Sequence, residues 1–300
     1  MQVTILGTSS AKPTIKRNHA GIWVDLNETR FLLDCGEGTQ RQITIAKKKA
    51  TKIDYILLTH WHADHAAGIS PILQSMRLNE RTKPLTIIGP NGTKEKIGLL
   101  KKVFPYSETY ALKIIETNNS KPEKVLETKN VDIWSVNAEH HGIPCVAYSI
   151  KQKDTVKINT EYTAKYGLVK NKILGELQKG KDITYNGKKI QFKKATFAKT
   201  GKKITYITDT ITTPKLIALA KNSDLLICES TYAHAEKKLA DERGHMTAKQ
   251  AGQLAKKSKT KKLVTTHFST KYKNKKELLQ ESKKEFENTT LGQDFLEILV

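Results

Sequence analysis

Short apolar runs closed by polar or glycine-bearing turns recur along the chain, with stretches of helical period between them. Residues 2–6, 21–26, 30–33, 53–58, 85–88, 131–136, 203–208, 224–228, 263–266 and 295–300 read as strands. Residues 66–76, 93–104, 211–220 and 248–257 carry the 3.6-residue period of helices, and Thr247 is placed to cap the last of these. Alternation of the two kinds of element predicts an α/β fold, and no internal repeat breaks it.

The polar residues that end these runs are unusual. Directly after the strand at 53–58 comes Thr59-His60-Trp61-His62-Ala63-Asp64-His65, in which three imidazoles and a carboxylate are spaced H-x-H-x-D-H. No strand or helix face needs that spacing for packing. Imidazole and carboxylate are the donors that zinc or manganese accepts, so the loop reads as part of a metal site at the end of a strand. Three other strands end in candidate ligands: His140 and His141 follow 131–136, Asp209 follows 203–208, and His267 follows 263–266. Alone, each would pass for a turn residue. Spacing does not decide between His140 and His141.

Together with Leu6-Gly7-Thr8-Ser9-Ser10, Asp34-Cys35-Gly36-Glu37-Gly38-Thr39-Gln40-Arg41-Gln42, Gly244-His245 and Thr266-His267-Phe268-Ser269, these residues resemble the ribonuclease Z family of tRNA 3′-processing endonucleases. That family belongs to the metallo-β-lactamase superfamily. The likeness runs along nearly the whole chain. It implies a four-layer αββα sandwich of two mixed β-sheets flanked by helices, formed by one domain over residues 1–300.

For the site, the resemblance implies two zinc ions per chain, with manganese as the alternative. His60, His62 and His141 would hold one ion, Asp64, His65 and His267 the other, and Asp209 would bridge. It favours His141 over His140 because a short apolar stretch ending at Tyr148 follows. Asp64 would also act as general base and His245 as general acid, aligned by Glu229. Asp34 and Glu37 would orient ligand histidines. Lys16, Arg17, Asn18, Ser269 and Lys271 would contact the substrate, a precursor tRNA, and the product would keep a 3′-hydroxyl. The family places a lysine two residues after the proline of the loop at 13–18. Here Ile15 stands there and Lys16 follows, which alters the expected response to a 3′ CCA end.

Composition adds a partner class. Lys+Arg number 52 against 30 Asp+Glu, a net charge of +22 that favours an anionic partner such as nucleic acid over a neutral metabolite. Residues 151–194 hold twelve lysines and four acidic residues, lie between ligand-bearing strands and contribute no ligand. By resemblance they form an inserted basic arm that grips tRNA away from the site. The three cysteines, Cys35, Cys145 and Cys228, lie in apolar runs and read as core thiols of a reducing cytoplasm. No signal peptide or membrane span is expected, and the family likeness implies a homodimer. Two competing functions share the metal loop: hydrolysis of a small phosphodiester or thioester, and RNA binding without catalysis. The first does not account for His245 or the charge, and the complete ligand set argues against the second.

Overall fold

In the computed structural model, which describes residues 1–107 and 109–300, the apolar runs collect into two seven-stranded sheets. The first has the order Glu297–Leu299, Gln2–Gly7, Gly21–Leu26, Thr29–Leu33, Tyr55–Leu57, Leu85–Pro90, Leu112–Thr117. It is antiparallel up to Thr29–Leu33 and parallel beyond. The second runs Thr289–Leu291, Leu263–Thr266, Leu225–Glu229, Lys203–Ile207, Ile143–Gln152, Val131–His140, Glu123–Glu127. Its first four strands are parallel, and Ile143–Gln152 joins Lys203–Ile207 antiparallel.

Helices cover the outer faces. Ile69–Leu78 buries Ile72, Leu73 and Met76 with Leu32, Ile56, Leu85 and Ile87 of the first sheet. Pro214–Ala220 and Ala248–Lys257 bury Leu216, Leu219, Leu254 and Ala255 with Ile207, Leu226 and Leu263 of the second. Truncating one such leucine to alanine costs about 2–5 kcal/mol. Thr247 accepts the amide of Gln250 and Gln250 returns the bond, so Ala248–Lys257 begins at a full capping box. Two tyrosines tie the sheets together: the Tyr148 hydroxyl donates to Leu58 O at 2.8 Å, and that of Tyr206 to Asp34 Oδ2 at 2.9 Å.

The expected helix at 66–76 is divided into Ala63–Ala66 and Ile69–Leu78. The break is at Gly68, whose amide donates to Cys35 O at 2.8 Å and where a Cβ would stand 2.3 Å from Gly36 O. Four strands of the two sheets were not legible, among them Leu112–Thr117 and Glu123–Glu127. These two lie at sheet edges, where half-exposed charged residues replace the apolar run that marks a central strand.

A second compact unit comprises residues 129–131 and 152–202. Thr155–Ile158 pairs with Thr196–Lys199 and Ile183–Tyr185 with Lys188–Ile190, around a small core of Leu168, Leu177, Ile183, Ile190 and Ala195. Return of the chain through Thr196–Lys199 carries this unit past the boundary at 194 that composition suggests. Its 14 lysines against four acidic residues are mostly exposed.

Candidate metal centre

Strand ends set the site. Leu33, Ile207 and Thr266 close strands, and just beyond them Asp34, Asp209 and His267 have φ of 55°, 49° and 56°. The left-handed backbone is costly for a residue with a Cβ, by about 1–3 kcal/mol each, and such strain concentrates where side chains must be aimed. Gly36 lets the loop after Asp34 pass beneath the H-x-H-x-D-H turn, since a Cβ there would meet Asp64 O at 2.2 Å.

Two groups of donors result. His60, His62, His140 and Asp209 form one, and Asp64, His65 and His267 the other. Asp209 faces both. Its Oδ2 lies 3.8 Å from the Nε2 atoms of His60 and His140, and its Oδ1 lies 3.3 and 3.2 Å from those of His65 and His267. Asp64 Oδ2 stands 3.5 Å from the same two nitrogens, and it also accepts the Ala11 amide at 2.8 Å.

The surrounding hydrogen bonds turn the histidines inward. Nδ1 of His65 donates to Asp34 Oδ2 at 2.7 Å, and Nδ1 of His140 to Gly244 O at 3.0 Å. The Thr59 hydroxyl gives its proton to Asp34 and so accepts from His60 Nδ1 at 3.1 Å. Likewise Thr231 donates to Glu229 Oε2 at 2.6 Å and accepts from His267 Nδ1 at 3.2 Å. Each ring therefore directs Nε2 at the cluster, which is how ligand histidines are held.

The charge environment fits cations. Burial, reinforced by His65, lowers the His60 pKa well below its ordinary value, leaving a neutral ring whose buried Nε2 has no hydrogen-bond partner among the described residues. Burial opposes charge on His65, yet Asp209 and Asp34 hold its pKa well above the usual range. Burial would raise Asp64 and Asp209, but the surrounding histidines keep both below the usual carboxylate range. Imidazole nitrogens and ionised carboxylates converging on one buried spot, their carboxylates drawing cations to themselves, are a metal-binding donor set.

Comparison with known proteins agrees with this. A family model described as Anti-Pycsar protein Apyc1 matches residues 1–179, and one described as a beta-lactamase superfamily domain matches residues 188–268. Ribonuclease Z of Archaeoglobus fulgidus is 34% identical over 304 residues, covering 100% of this chain and 97% of its own. That of Nanoarchaeum equitans is 37% identical over 270 residues, covering 90% and 84%. The chain belongs to the ribonuclease Z family. The crystal structure of the short form of human tRNase Z shares the fold, with a TM-score of 0.74 at 23% identity, covering 100% of this chain and 99% of that one.

In this member of the ribonuclease Z family, an endoribonuclease by its kinship, His245 and Glu229 adjoin the cluster. Nδ1 of His245 donates to Glu229 Oε2 at 3.0 Å, and a ring nitrogen lies within 4.8 Å of donor atoms of Asp209 and His267. Glu229 is fully buried and is itself fixed by the Thr210 amide and the Thr231 hydroxyl, each at 2.6 Å. Burial would lower the His245 pKa, but Glu229 reverses this and pushes it up to about 9.

Several expectations need correction. His140, not His141, joins the first donor group. Val131–His140 runs on to residue 140, which puts the His140 ring inward, and His141 then turns with φ of 46° and is exposed. Glu37 holds no cluster histidine; its side chain is 65% exposed and approaches His19 Nδ1 at 3.7 Å. Arg17 is buried and donates to Phe268 O at 3.0 Å and Ser269 O at 3.4 Å, so it fastens its loop to the segment after His267. Asn18 donates to Glu37 O at 2.9 Å. Lys271 pairs with Glu236, and Ser269 is half-buried beside it, while Lys16 stands exposed. Sequence reasoning missed Tyr206 and Thr231, whose roles follow only from contacts between sheets and loops. It also missed Asp294, which accepts the Asn18 amide at 2.7 Å and the Thr8 hydroxyl at 2.8 Å.

Proposed function

We propose that this enzyme is a zinc-dependent endoribonuclease that removes the 3′ trailer from precursor tRNA and leaves a 3′-hydroxyl on the tRNA. The observation that carries the reading is the pair of donor groups sharing Asp209, with His245 poised at their edge. His60, His62, His140 and Asp209 would hold one ion, and Asp64, His65, His267 and Asp209 the other. Zinc suits the nitrogen and oxygen donors, and manganese is the alternative. Two such ions supply Lewis acidity, lowering the pKa of an attacking water and neutralising charge on the transferring phosphoryl group.

The chain's own residues supply the proton transfers. Asp64, whose Oδ2 stands 3.5 Å from His65 and His267 Nε2, is placed to orient the attacking water and is the group to which we assign its proton. His245 carries a proton below about pH 9 and can give it to the departing ribose oxygen. Glu229 fixes the ring by its Nδ1 bond, leaving Nε2 as the donor. The basic unit at 152–202 would grip the tRNA away from the reacting bond through its lysines.

Buried free thiols at Cys35, Cys145 and Cys228 suit a reducing cytoplasm, where we place the enzyme. Among the described residues, no helix is long and apolar enough to cross a membrane. Homodimeric assembly is the family expectation we carry forward. Hydrolysis of a small phosphodiester by the same metal loop is the competing reading. The excess of cations and His245 favour RNA. Incubation with a 3′-extended precursor, with and without a strong chelator, tests the proposal. Cleavage that chelator abolishes and zinc restores is expected, and a protein that hydrolyses only small diesters would overturn it.

A further inference from the structure

The strand Lys203–Ile207 joins the metal centre to the opposite end of the second sheet. Asp209 lies just beyond its last residue, and Lys203 opens it about 20 Å away at the rise of an extended chain. At that far end lies a cavity of about 300 Å³, lined by Trp134, Ser149, Lys151, Lys203, Leu219 and Lys221, from the sheet and from the helix Pro214–Ala220 and its end. Small-ligand sites begin at about this size. Among the described residues that line it are three lysines and no carboxylate.

These cations are not neutralised from outside the cavity. Lys203 and Lys151 stand directly opposite each other on antiparallel strands, a register in which like charges repel. Neither they nor Lys221 forms an ion pair among the described residues. Carboxylates on the adjoining segments are already engaged. Asp224 accepts from Lys261 and from the Lys203 amide, each at 2.9 Å, and Lys124 holds Asp132 at 3.4 Å and Glu127 at 2.9 Å. The Lys203 ammonium donates to Leu219 O at 2.7 Å and Lys221 O at 2.8 Å, and its third proton has no acceptor among the described residues. Burial, reinforced by Lys151, lowers its pKa to about 8. An anion in the cavity would relieve this arrangement.

The rest of the lining is flat and apolar. Trp134 packs half-buried against the core of the second sheet and borders the cavity beside Ala218 and Leu219. Lys124, outside the cavity, lies over the indole with Nζ 5.8 Å from the ring centroid. The indole N–H has no acceptor among the described residues. An aromatic side chain of this kind is a stacking surface for any base.

We infer that this cavity binds a nucleoside monophosphate, its base against Trp134 and Leu219 and its phosphate on Lys151, Lys203 and Lys221. A phosphate monoester, whose second pKa is about 6, is a dianion at neutral pH and matches cations that have no acids beside them. The heterocycle matches the indole. Neither a nucleoside nor inorganic phosphate uses both parts of the lining. The site is separate from the reacting centre and stands independently of the ribonuclease reading.

Isothermal titration of the zinc-loaded full chain with adenosine 5′-monophosphate, adenosine and inorganic phosphate tests this. The metal centre also attracts phosphate, so Trp134→Ala and Lys151→Glu/Lys221→Glu serve to locate the binding, with metal content and melting midpoint as controls. Both lysines are exposed, so the double variant decides the matter if Trp134→Ala fails to fold. The parent should bind the nucleotide more tightly than either fragment. Trp134→Ala should weaken binding roughly 5- to 100-fold, the range of base–aromatic stacking. The double charge reversal should weaken it by about tenfold or more.

Proton uptake gives a second readout. At pH near 8 Lys203 is about half protonated and the nucleotide is already a dianion, so binding should draw up to about half a proton onto the protein. This appears as a heat that varies with the ionisation enthalpy of the buffer. Lys203→Arg, which stays charged, should keep the affinity and lose the uptake. Nucleotide binding that neither variant changes would assign it to the metal centre and overturn the inference. Phosphate bound as tightly as the nucleotide would leave a bare anion patch, and that result, or an absence of measurable nucleotide binding, would overturn it as well.

Discussion

Glu229 Oε2 accepts Nδ1–H of His245 at 3.0 Å, and the same oxygen accepts the Thr231 hydroxyl that supports His267. One buried carboxylate thus fixes the ring we propose as proton donor and, through Thr231, the His267 ring we propose as a metal ligand. His245→Ala should lower turnover by about 10²–10⁴-fold, the usual contribution of a general acid, with metal content and tRNA affinity nearly intact. Metal analysis beside single-turnover kinetics checks this, and loss of an ion in that variant would reassign His245 as a ligand.

Glu229→Gln should give a smaller loss with a distinctive pH dependence. In the parent, burial works against the charge, but Glu229, by its charge and hydrogen bond, and Asp209 together push the His245 pKa up to about 9, so activity that needs the proton falls as pH rises through that value. Without the Glu229 charge, burial is opposed by Asp209 only, and the alkaline limb should move to lower pH. A limb that stays in place would show that another group sets it.

His140→Ala should lose metal, whereas His141→Ala should retain the parent's content. The buried His140 ring sits in the first donor group, and the His141 side chain is exposed outside it. Elemental analysis of protein purified without chelator decides between them, and the reverse pattern would restore the assignment that resemblance favours.

How much of this was legible follows from where the signals lie. H-x-H-x-D-H, Asp209 and His267 could be read because a metal site draws its ligands from strand ends, and those ends are marked by apolar runs. The choice between His140 and His141 could not. It depends on whether the strand from Val131 extends to residue 140, and polar residues such as Asn137 and Glu139 end the apolar run early. Arg17 reads as a phosphate contact because exposure is not written in sequence, yet its guanidinium is buried on carbonyls brought 251 and 252 residues along the chain. Asp34 was legible as a support for a ligand because it adjoins a glycine-rich motif. Tyr206 was not, since nothing in the run around it sets it apart from an ordinary core tyrosine.

Excising 152–202 should remove tRNA binding selectively. The Gln152 amide donates to Lys202 O at 2.8 Å, so a short Gly/Ser linker can close the gap between the neighbouring strand residues Lys151 and Lys203. Cleavage of precursor tRNA should drop and its salt dependence flatten, as phosphate contacts that release counterions are lost. Hydrolysis of bis(p-nitrophenyl) phosphate, which needs no distant grip, should persist. Collapse of both activities together with metal content would make the unit part of the catalytic core.

Ile15→Lys/Lys16→Ala returns the lysine to the place the family likeness expects. Ile15 projects fully into solvent at the tip of its loop, so the exchange disturbs no core. The variant should discriminate more strongly than the parent against precursors that carry CCA before the trailer. Equal rejection by both proteins, measured as the ratio of cleavage rates with and without CCA, would refute it.

The most direct measurement maps the ends produced when purified protein, loaded with zinc, acts on a precursor tRNA with a genomic 3′ trailer. The account predicts a single cut near the end of the acceptor stem, giving tRNA with a 3′-hydroxyl and a trailer with a 5′-phosphate, and the same cut greatly slowed by His245→Ala. Intact precursor, stepwise shortening from the 3′ end, or a phosphate left on the tRNA would contradict it.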